Sequence, residues 1–323
     1  MLSSIQFLRF IAAAMVIASH SANVLEVPKS VIFGDSGVDI FFIISGFVIG
    51  LASQRETNLP QFYWKRIIRI VPLYWIALAL FFLLPHFMVN KEVTASNLIH
   101  SIFLFPKFEH GWWPLLFPAW TLSYEMFFYG VFGIVILRKD AFWPVVAGLV
   151  VFSLVRIPSN DSIFTQVVML EFVAGLLVAR FLPFMKRNEG LGLTLIFCAA
   201  LTIGCNYKDV TNRVLYWGVP SLLLIIGALH LEERMKKIPH VLGEASYSMY
   251  LFHITIMTCA RDGFFFFGID LQAHRIIGMT MLFVMAVALG ICIHLCIERP
   301  LLAFLRAKVL PRNRNALREK SST

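Results

Sequence analysis

The sequence predicts an all-α membrane protein, a bundle of about ten transmembrane helices with both termini in the cytoplasm. Of its 323 residues, 59% are hydrophobic and only 15% are charged, whereas soluble domains are about 45–50% apolar and about 25% charged. The sequence also contains no polar stretch long enough to form a separate soluble domain. The third observation is that the apolar residues occur in runs with the length of membrane spans.

Each apolar run is close to the roughly 20 residues that a helix needs to cross the hydrocarbon core. The second run contains Gly46 and Gly50, four positions apart, which is the spacing that allows two membrane helices to approach closely. The ten runs cover residues 5–22, 31–52, 70–88, 118–137, 141–156, 163–182, 190–205, 213–231, 245–267 and 274–297.

Basic residues set the predicted orientation. With ten alternating helices and a cytoplasmic N-terminus, 19 of the 28 Lys and Arg residues fall on the cytoplasmic side, as the positive-inside rule requires. Residues 1–298 are therefore predicted to form a ten-helix membrane domain, and residues 299–323 a basic cytoplasmic tail. Residues 53–69 are predicted to be a cytoplasmic loop, and residues 89–117 an outer loop with Trp112 and Trp113 as interfacial anchors.

Two ionisable residues, Arg9 and His20, lie within the first predicted helix. Their separation of eleven residues places both within about 20° of one helix face and about 16 Å apart along the axis. Ionisable groups inside a membrane are costly and often functional. The alternative is that Arg9 extends to the inner headgroups and His20 marks the outer interface.

Several motifs together resemble the acyltransferase 3 family of integral membrane acyltransferases. They are the segment 4–10, the spacing of Arg9 and His20, the segments 37–49, 65–75, 120–125 and 242–253, and the triplet Glu298-Arg299-Pro300. These segments occur in the order that the family shows and extend over nearly the whole chain. The resemblance implies transfer of an acyl group from a cytoplasmic thioester to an extracytoplasmic acceptor.

Acyl transfer to a hydroxyl needs a base and a group that stabilises developing negative charge. His20 is the candidate base or acyl-accepting group, because a neutral imidazole can take a proton near pH 7. Asp39 and Glu125 are the candidate catalytic carboxylates that tune it, although either could have a purely structural role. Asp35 is expected to be a solvated loop residue, and His253 to line a tunnel or join two helices.

The resemblance implies acyl-CoA as the donor and acetyl as the acyl group. Lys65, Arg66 and Arg69 form a basic cluster that could bind the phosphates of CoA together with Arg9. The same three residues could instead act only as a topology signal. No bound cofactor and no metal are expected, because metalloprotease, serine hydrolase and P-loop motifs are absent from the sequence.

The first functional hypothesis is an O-acyltransferase of the bacterial inner membrane. The resemblance implies a surface polysaccharide or lipid-linked oligosaccharide as the acceptor. No nucleic acid is expected as a partner despite the net charge of +9. The alternative is a transporter or flippase for a lipid-linked sugar, although the repeated halves of many transporters are not visible. A non-catalytic partner in a polysaccharide assembly complex is the third hypothesis.

Overall fold

The computed structural model describes residues 2–27, 34–84, 93–105, 114–154, 163–205 and 213–309. Within these ranges the chain is all-α, as the sequence predicts. The helices are α1 (Ser3–Val24), α2 (Ser36–Arg55), α3 (Leu59–Leu83), α4 (Ala95–Phe103), α5 (Ala119–Leu137), α6 (Phe142–Leu154), α7 (Ile163–Phe181), α8 (Glu189–Cys205), α9 (Val214–His230), α10 (Glu232–Met235), α11 (His240–Glu244), α12 (Ser246–Phe266) and α13 (Arg275–Val309).

Within the described residues, each of the ten apolar runs overlaps one of these helices. Five helices in the described ranges, α1, α2, α3, α5 and α13, are long and apolar enough to cross a membrane, and α8 and α9 are shorter apolar helices. The 21 residues of α12 also match a span in length, although His253, Arg261 and Asp262 make it less apolar. The structure therefore confirms a helical bundle with several candidate membrane spans.

Helix α1 lies at the centre of the bundle and contacts α2, α9, α12 and α13. Its first turn is held by the buried carboxylate of Glu232, which accepts hydrogen bonds from the backbone N–H groups of Ser3 (2.8 Å) and Ser4 (2.9 Å). A carboxylate at this end also complements the positive end of the helix dipole. These hydrogen bonds fix the position of α1 along its own axis, and with it the positions of the side chains that α1 carries.

The pair α2 and α7 shows the close packing that the glycine spacing predicts. A Cβ added at Gly46 would lie 2.0 Å from the carbonyl oxygen of Phe172, and one at Gly175 would lie 2.0 Å from that of Ile43. Only glycine allows the two backbones to approach so closely. Gly50 contributes as well, because its added Cβ would lie 2.7 Å from the Cβ of Ala179.

Three segments differ from the sequence prediction. Helix α3 begins at Leu59 rather than near residue 70, because the Asn58 side chain accepts a hydrogen bond from the Gln61 N–H and caps the helix. Most of the predicted loop 53–69 is therefore helical. Helix α4 lies within the predicted outer loop 89–117, where Trp112 and Trp113 fall outside the described residues. Helix α13 continues past the boundary predicted at residue 298 as far as Val309, with a π-helical turn over His294–Glu298 between its two α-helical parts.

Candidate active site

A cavity of about 730 Å³ lies between α1, α2, α3, α5, α12 and α13. This volume falls within the range of small-molecule sites, about 300–1,000 Å³. Six lysine or arginine side chains line the cavity against three glutamates, which gives its wall a positive formal charge. These residues are Arg9, Lys65, Arg66, Arg69, Arg299 and Arg306, and Glu56, Glu125 and Glu244.

Lys65, Arg66 and Arg69, here called the α3 cluster, lie on one side of this cavity. All three already have acidic neighbours. Lys65 Nζ lies 2.9 Å from Glu56 Oε1, and Arg66 Nη1 lies 3.6 Å from Glu56 Oε2. Arg69 Nη1 lies 3.5 Å from Glu298 Oε1. The structure thus brings together all four predicted donor-binding residues, because Arg9 lines the same cavity.

Arg9 projects from α1 into the cavity that the α3 cluster also lines. Its guanidinium has no hydrogen-bond or ion-pair partner within the described ranges, although it lies within electrostatic range of Glu125 and Glu298. Charged side chains inside a membrane protein are normally paired. A cavity-facing arginine without a direct partner is therefore suited to contact an anionic or strongly polar part of a ligand.

Glu125 lies on α5 at the level of Arg9, not beside His20. Its Oε1 accepts hydrogen bonds from Ser45 Oγ (2.9 Å) and from the Tyr129 hydroxyl. Glu125 therefore lines the cavity that also contains Arg9, and its hydrogen bonds within the described residues do not include His20. Its role in tuning His20 stays a prediction.

His20 is paired with another histidine. Its Nδ1 lies 2.6 Å from Nε2 of His253, and the two rings are stacked with their centroids 4.9 Å apart and an interplanar angle of 14°. His253 is fully buried, and its Nδ1 lies 2.6 Å from the backbone carbonyl oxygen of Tyr250. The helix–helix hydrogen bond expected of His253 is thus a bond to the predicted base itself.

This chain of hydrogen bonds determines where the protons lie when both rings are neutral. A carbonyl oxygen can only accept, so His253 Nδ1 must carry the hydrogen and its Nε2 must be an acceptor. His20 Nδ1 then donates to that acceptor. The remaining nitrogen, His20 Nε2, is left with a free lone pair and has no hydrogen-bond partner within the described ranges, which is the state of a general base.

The cavity stops short of this histidine pair. Gly37 of α2 packs against Ala12 and Val16 of α1, and its neighbour Val38 lines the cavity. His20 therefore lies about one to two helical turns beyond Ala12 and Val16 along α1. The aromatic pair Phe41 and Tyr250, with ring centroids 5.6 Å apart, lines the cavity. The Tyr250 ring also lies 5.9 Å from the His253 ring, measured between centroids.

Asp39, the other predicted catalytic carboxylate, binds an arginine instead of His20. Its two oxygens accept hydrogen bonds from Arg213 Nε (3.0 Å) and Nη2 (2.7 Å). Asp39 is fully buried, and the Arg213 guanidinium also lies 4.9 Å from the centre of the Trp217 ring. Asp39 is thus the counter-ion of Arg213, which agrees with the structural role left open in the sequence analysis, and its hydrogen bonds within the described residues go to Arg213 rather than to His20.

The carboxylate near His20 is Asp35, which the sequence analysis treated as a solvated loop residue. Asp35 Oδ1 accepts a hydrogen bond of 2.6 Å from Ser19 Oγ, and the carboxylate lies within electrostatic range of His20. The aromatic edge of Phe117 also contacts the His20 ring, with centroids 5.9 Å apart. His20 thus has a hydrogen-bonded histidine and a carboxylate within electrostatic range.

Two partners at this site, Tyr250 and Arg213, were missed by the sequence analysis. Tyr250 lies three positions before His253, so helical spacing could have suggested that its carbonyl is the histidine's partner. Arg213 has no such signal, because it borders a predicted span and is 174 positions from Asp39. The described part of the chain brings together no group of three metal-ligating side chains.

The apolar helices and the cation-lined cavity between them define an integral membrane protein with an internal cavity of the size of a small-molecule site. A comparison with family models gives the class of reaction: an acyltransferase domain model matches residues 2–295. The chain belongs to the acyltransferase 3 family, and it is a membrane acyltransferase. The resemblance found in the sequence is confirmed.

Curated relatives include two that align with most of this chain. The exopolysaccharide production protein ExoZ of Rhizobium meliloti (strain 1021) is 33% identical over 85% of this chain and 92% of its own length. The acyltransferase MdmB of Streptomyces mycarofaciens is 24% identical over 94% of this chain and 92% of its own length. No solved structure gives a significant match.

Proposed function

We propose that the protein is an O-acyltransferase of the bacterial inner membrane. It takes an acyl group, acetyl in this proposal, from acyl-CoA at the cytoplasmic side and transfers it to a hydroxyl of an extracytoplasmic or lipid-linked surface glycan. The similarity to a protein named for exopolysaccharide production supports a glycan acceptor. Both termini and the α3 cluster are assigned to the cytoplasmic side on the distribution of Lys and Arg residues.

The observation that carries this proposal is the arrangement of α1. One continuous helix presents Arg9 to the cation-lined cavity and His20, with its free Nε2, about 16 Å farther along its axis. The two side chains lie on nearly the same helix face. A donor whose phosphates are bound by the α3 cluster can extend a thin thioester arm along this face towards His20.

The proposed reaction conserves atoms and charge. His20 Nε2 removes the proton of the acceptor hydroxyl as the oxygen attacks the thioester carbonyl carbon. The C–S bond then breaks, the new C–O bond remains, and the proton on His20 passes to the CoA thiolate. A variant of this scheme, in which the acyl group rests briefly on His20 Nε2, uses the same nitrogen and the same free lone pair.

The other predicted site residues have supporting roles in this proposal. Glu125, held by Ser45 and Tyr129, sets the charge around Arg9 in the cavity. Asp39 acts indirectly, since its pair with Arg213 fixes the position of α2. Phe41 and Tyr250 lie where the acyl end of the donor must pass to reach His20.

The test is a donor-to-acceptor assay in membranes that contain the parent protein or His20→Ala. With acetyl-labelled acetyl-CoA, we expect release of free CoA and appearance of label in glycan or glycolipid for the parent only. His274→Ala is the matched control, because it removes an exposed imidazole outside the cavity. Movement of a glycolipid across the membrane without release of CoA would favour the transporter instead.

A further inference from the structure

Helix α13 is longer than a membrane span. Its 35 residues extend about 52 Å at the rise of an α-helix, whereas the hydrocarbon core is about 30 Å thick. The excess lies at the C-terminal end, where Arg299–Val309 contains three of the helix's basic residues. This end of α13 packs against α3, the helix that carries the α3 cluster.

Glu298 fixes the position of α13 along its axis relative to α3. Its carboxylate is almost fully buried and accepts hydrogen bonds of 2.7 Å from Ser248 Oγ and from His294 Nδ1. Arg69 Nη1 lies 3.5 Å from its other oxygen. The residues that follow Glu298 therefore begin at the level of Arg69 and continue away from the membrane centre.

One face of this extension lines the cavity. Arg299, Leu302, Ala303 and Arg306 all contribute to the cavity wall, and their spacing of three, four and seven residues is that of a single helix face. Lys308 lies about 180° away from Arg299 around the helix. Its Nζ instead lies 4.4 Å from the centre of the Phe304 ring.

The two arginines of this face differ from the α3 cluster in their partners. Lys65 and Arg66 are paired with Glu56, and Arg69 is paired with Glu298. Arg299 and Arg306 are exposed and have no hydrogen bond or ion pair within the described ranges. They are therefore the cations at this end of the cavity that are free to bind an anion without first losing an acidic partner.

We propose that the end of α13 is the nucleotide-binding arm of the donor site. Arg306 binds the 3′-phosphate of CoA, and Arg299 joins Arg66 and Arg69 on the pyrophosphate. The inference rests on the proposed function, in which the thioester arm points towards His20. In that orientation, the adenosine and its 3′-phosphate lie farther from the membrane centre than the pyrophosphate does.

The positions of Arg299 and Arg306 along the axis of α13 agree with this assignment. Arg299 is next to Glu298 and hence level with Arg69, where the pyrophosphate is placed. Arg306 lies eight residues beyond Glu298, about 12 Å farther out along the helix axis. Two phosphate groups at different distances from the thioester are thus matched by two arginines on one helix face.

The experiment compares CoA with 3′-dephospho-CoA as ligands of the purified full-length protein in nanodiscs. We expect the parent to bind CoA more tightly. Arg306→Ala should lose about tenfold to a hundredfold in affinity for CoA, the effect of a lost charge-assisted hydrogen bond, and bind 3′-dephospho-CoA as the parent does. Arg299→Ala should weaken binding of both ligands.

Lys308→Ala is the matched control, because it removes a positive charge from the same helix on the opposite face. It should bind both ligands as the parent does. Equal losses in Arg306→Ala and Lys308→Ala, or an Arg306→Ala variant that still prefers CoA to the parental degree, would overturn the assignment. Failure of the parent to bind either ligand would contradict the proposed function itself, which makes the two failures distinguishable.

Discussion

His20 Nδ1 lies 2.6 Å from Nε2 of His253, a residue 233 positions later in the chain. The bond joins α1 to α12 and occupies one of the two nitrogens of His20. Because His253 is held in turn by the Tyr250 carbonyl, the position and the tautomer of His20 are both set by α12. His253 is therefore a positioning residue for the proposed base.

The first prediction concerns this positioning role. His253→Leu should reduce kcat roughly tenfold, the effect of losing one hydrogen bond at the upper end of the usual range, and leave KM for acyl-CoA unchanged. His253→Gln should recover part of the activity, because its side-chain oxygen can accept the hydrogen of His20 Nδ1. Steady-state CoA release measures both constants. A Gln variant no better than Leu would show that His253 only fills space.

The α3 cluster gives the second prediction. Arg66→Ala should weaken binding of acyl-CoA by about tenfold to a hundredfold, because a charge-assisted contact with phosphate contributes about 1.5–3 kcal/mol. The control is Arg138→Ala, which removes an exposed arginine that does not line the cavity. Equilibrium binding of acyl-CoA to the two purified variants measures both affinities. Parental affinity in a variant with Ala at all three cluster positions would leave the cluster as a topology signal.

Asp39 and Arg213 give the third prediction, which concerns stability. Asp39→Asn should lower the free energy of unfolding by about 3–5 kcal/mol, because it leaves the guanidinium of Arg213 buried without its counter-ion. Asp140→Asn is the control, because the ion pair of Asp140 with Arg138 is exposed and an exposed pair contributes only about 0–1 kcal/mol. It should therefore shift thermal unfolding in detergent much less. An equal shift in both variants would contradict the assigned pairing.

The fourth prediction concerns orientation. Reporter domains fused to the N-terminus and to the C-terminus should both give cytoplasmic signals, because the basic residues are concentrated on that side. A reporter inserted next to His274, which precedes α13, should give the opposite signal. A periplasmic C-terminus would place the end of α13 on the wrong side for binding CoA.

Much of the fold could be predicted from the sequence because the lengths and positions of the apolar runs follow directly from the thickness of a bilayer. In the described part of the chain, each of the ten runs overlaps a helix. The start of α3 was misplaced, because a basic segment with aromatic residues was interpreted as a loop. Asn58 and Pro60 were nevertheless visible as a helix N-cap and a first-turn proline.

The partners within the site were harder to predict. Helical spacing places Arg9 and His20 on one face of α1, since both belong to one continuous helix. Spacing within a helix carries no information about which neighbouring helix packs against it. The partners of His20 and Asp39 lie on α12 and next to α9 respectively, so tertiary packing determines that His20 binds His253 and that Asp39 binds Arg213.

The central claim is that His20 Nε2 takes the proton of the acceptor hydroxyl or accepts the acyl group. Its most direct test is CoA release from acetyl-CoA by purified His20→Ala protein in nanodiscs, with acceptor glycan present and the parent protein alongside. We expect the variant to bind CoA as the parent does, because the α3 cluster and the end of α13 are unchanged. Its turnover should fall by at least the roughly 10²–10⁴-fold expected for loss of a general base. Turnover close to that of the parent would contradict the account.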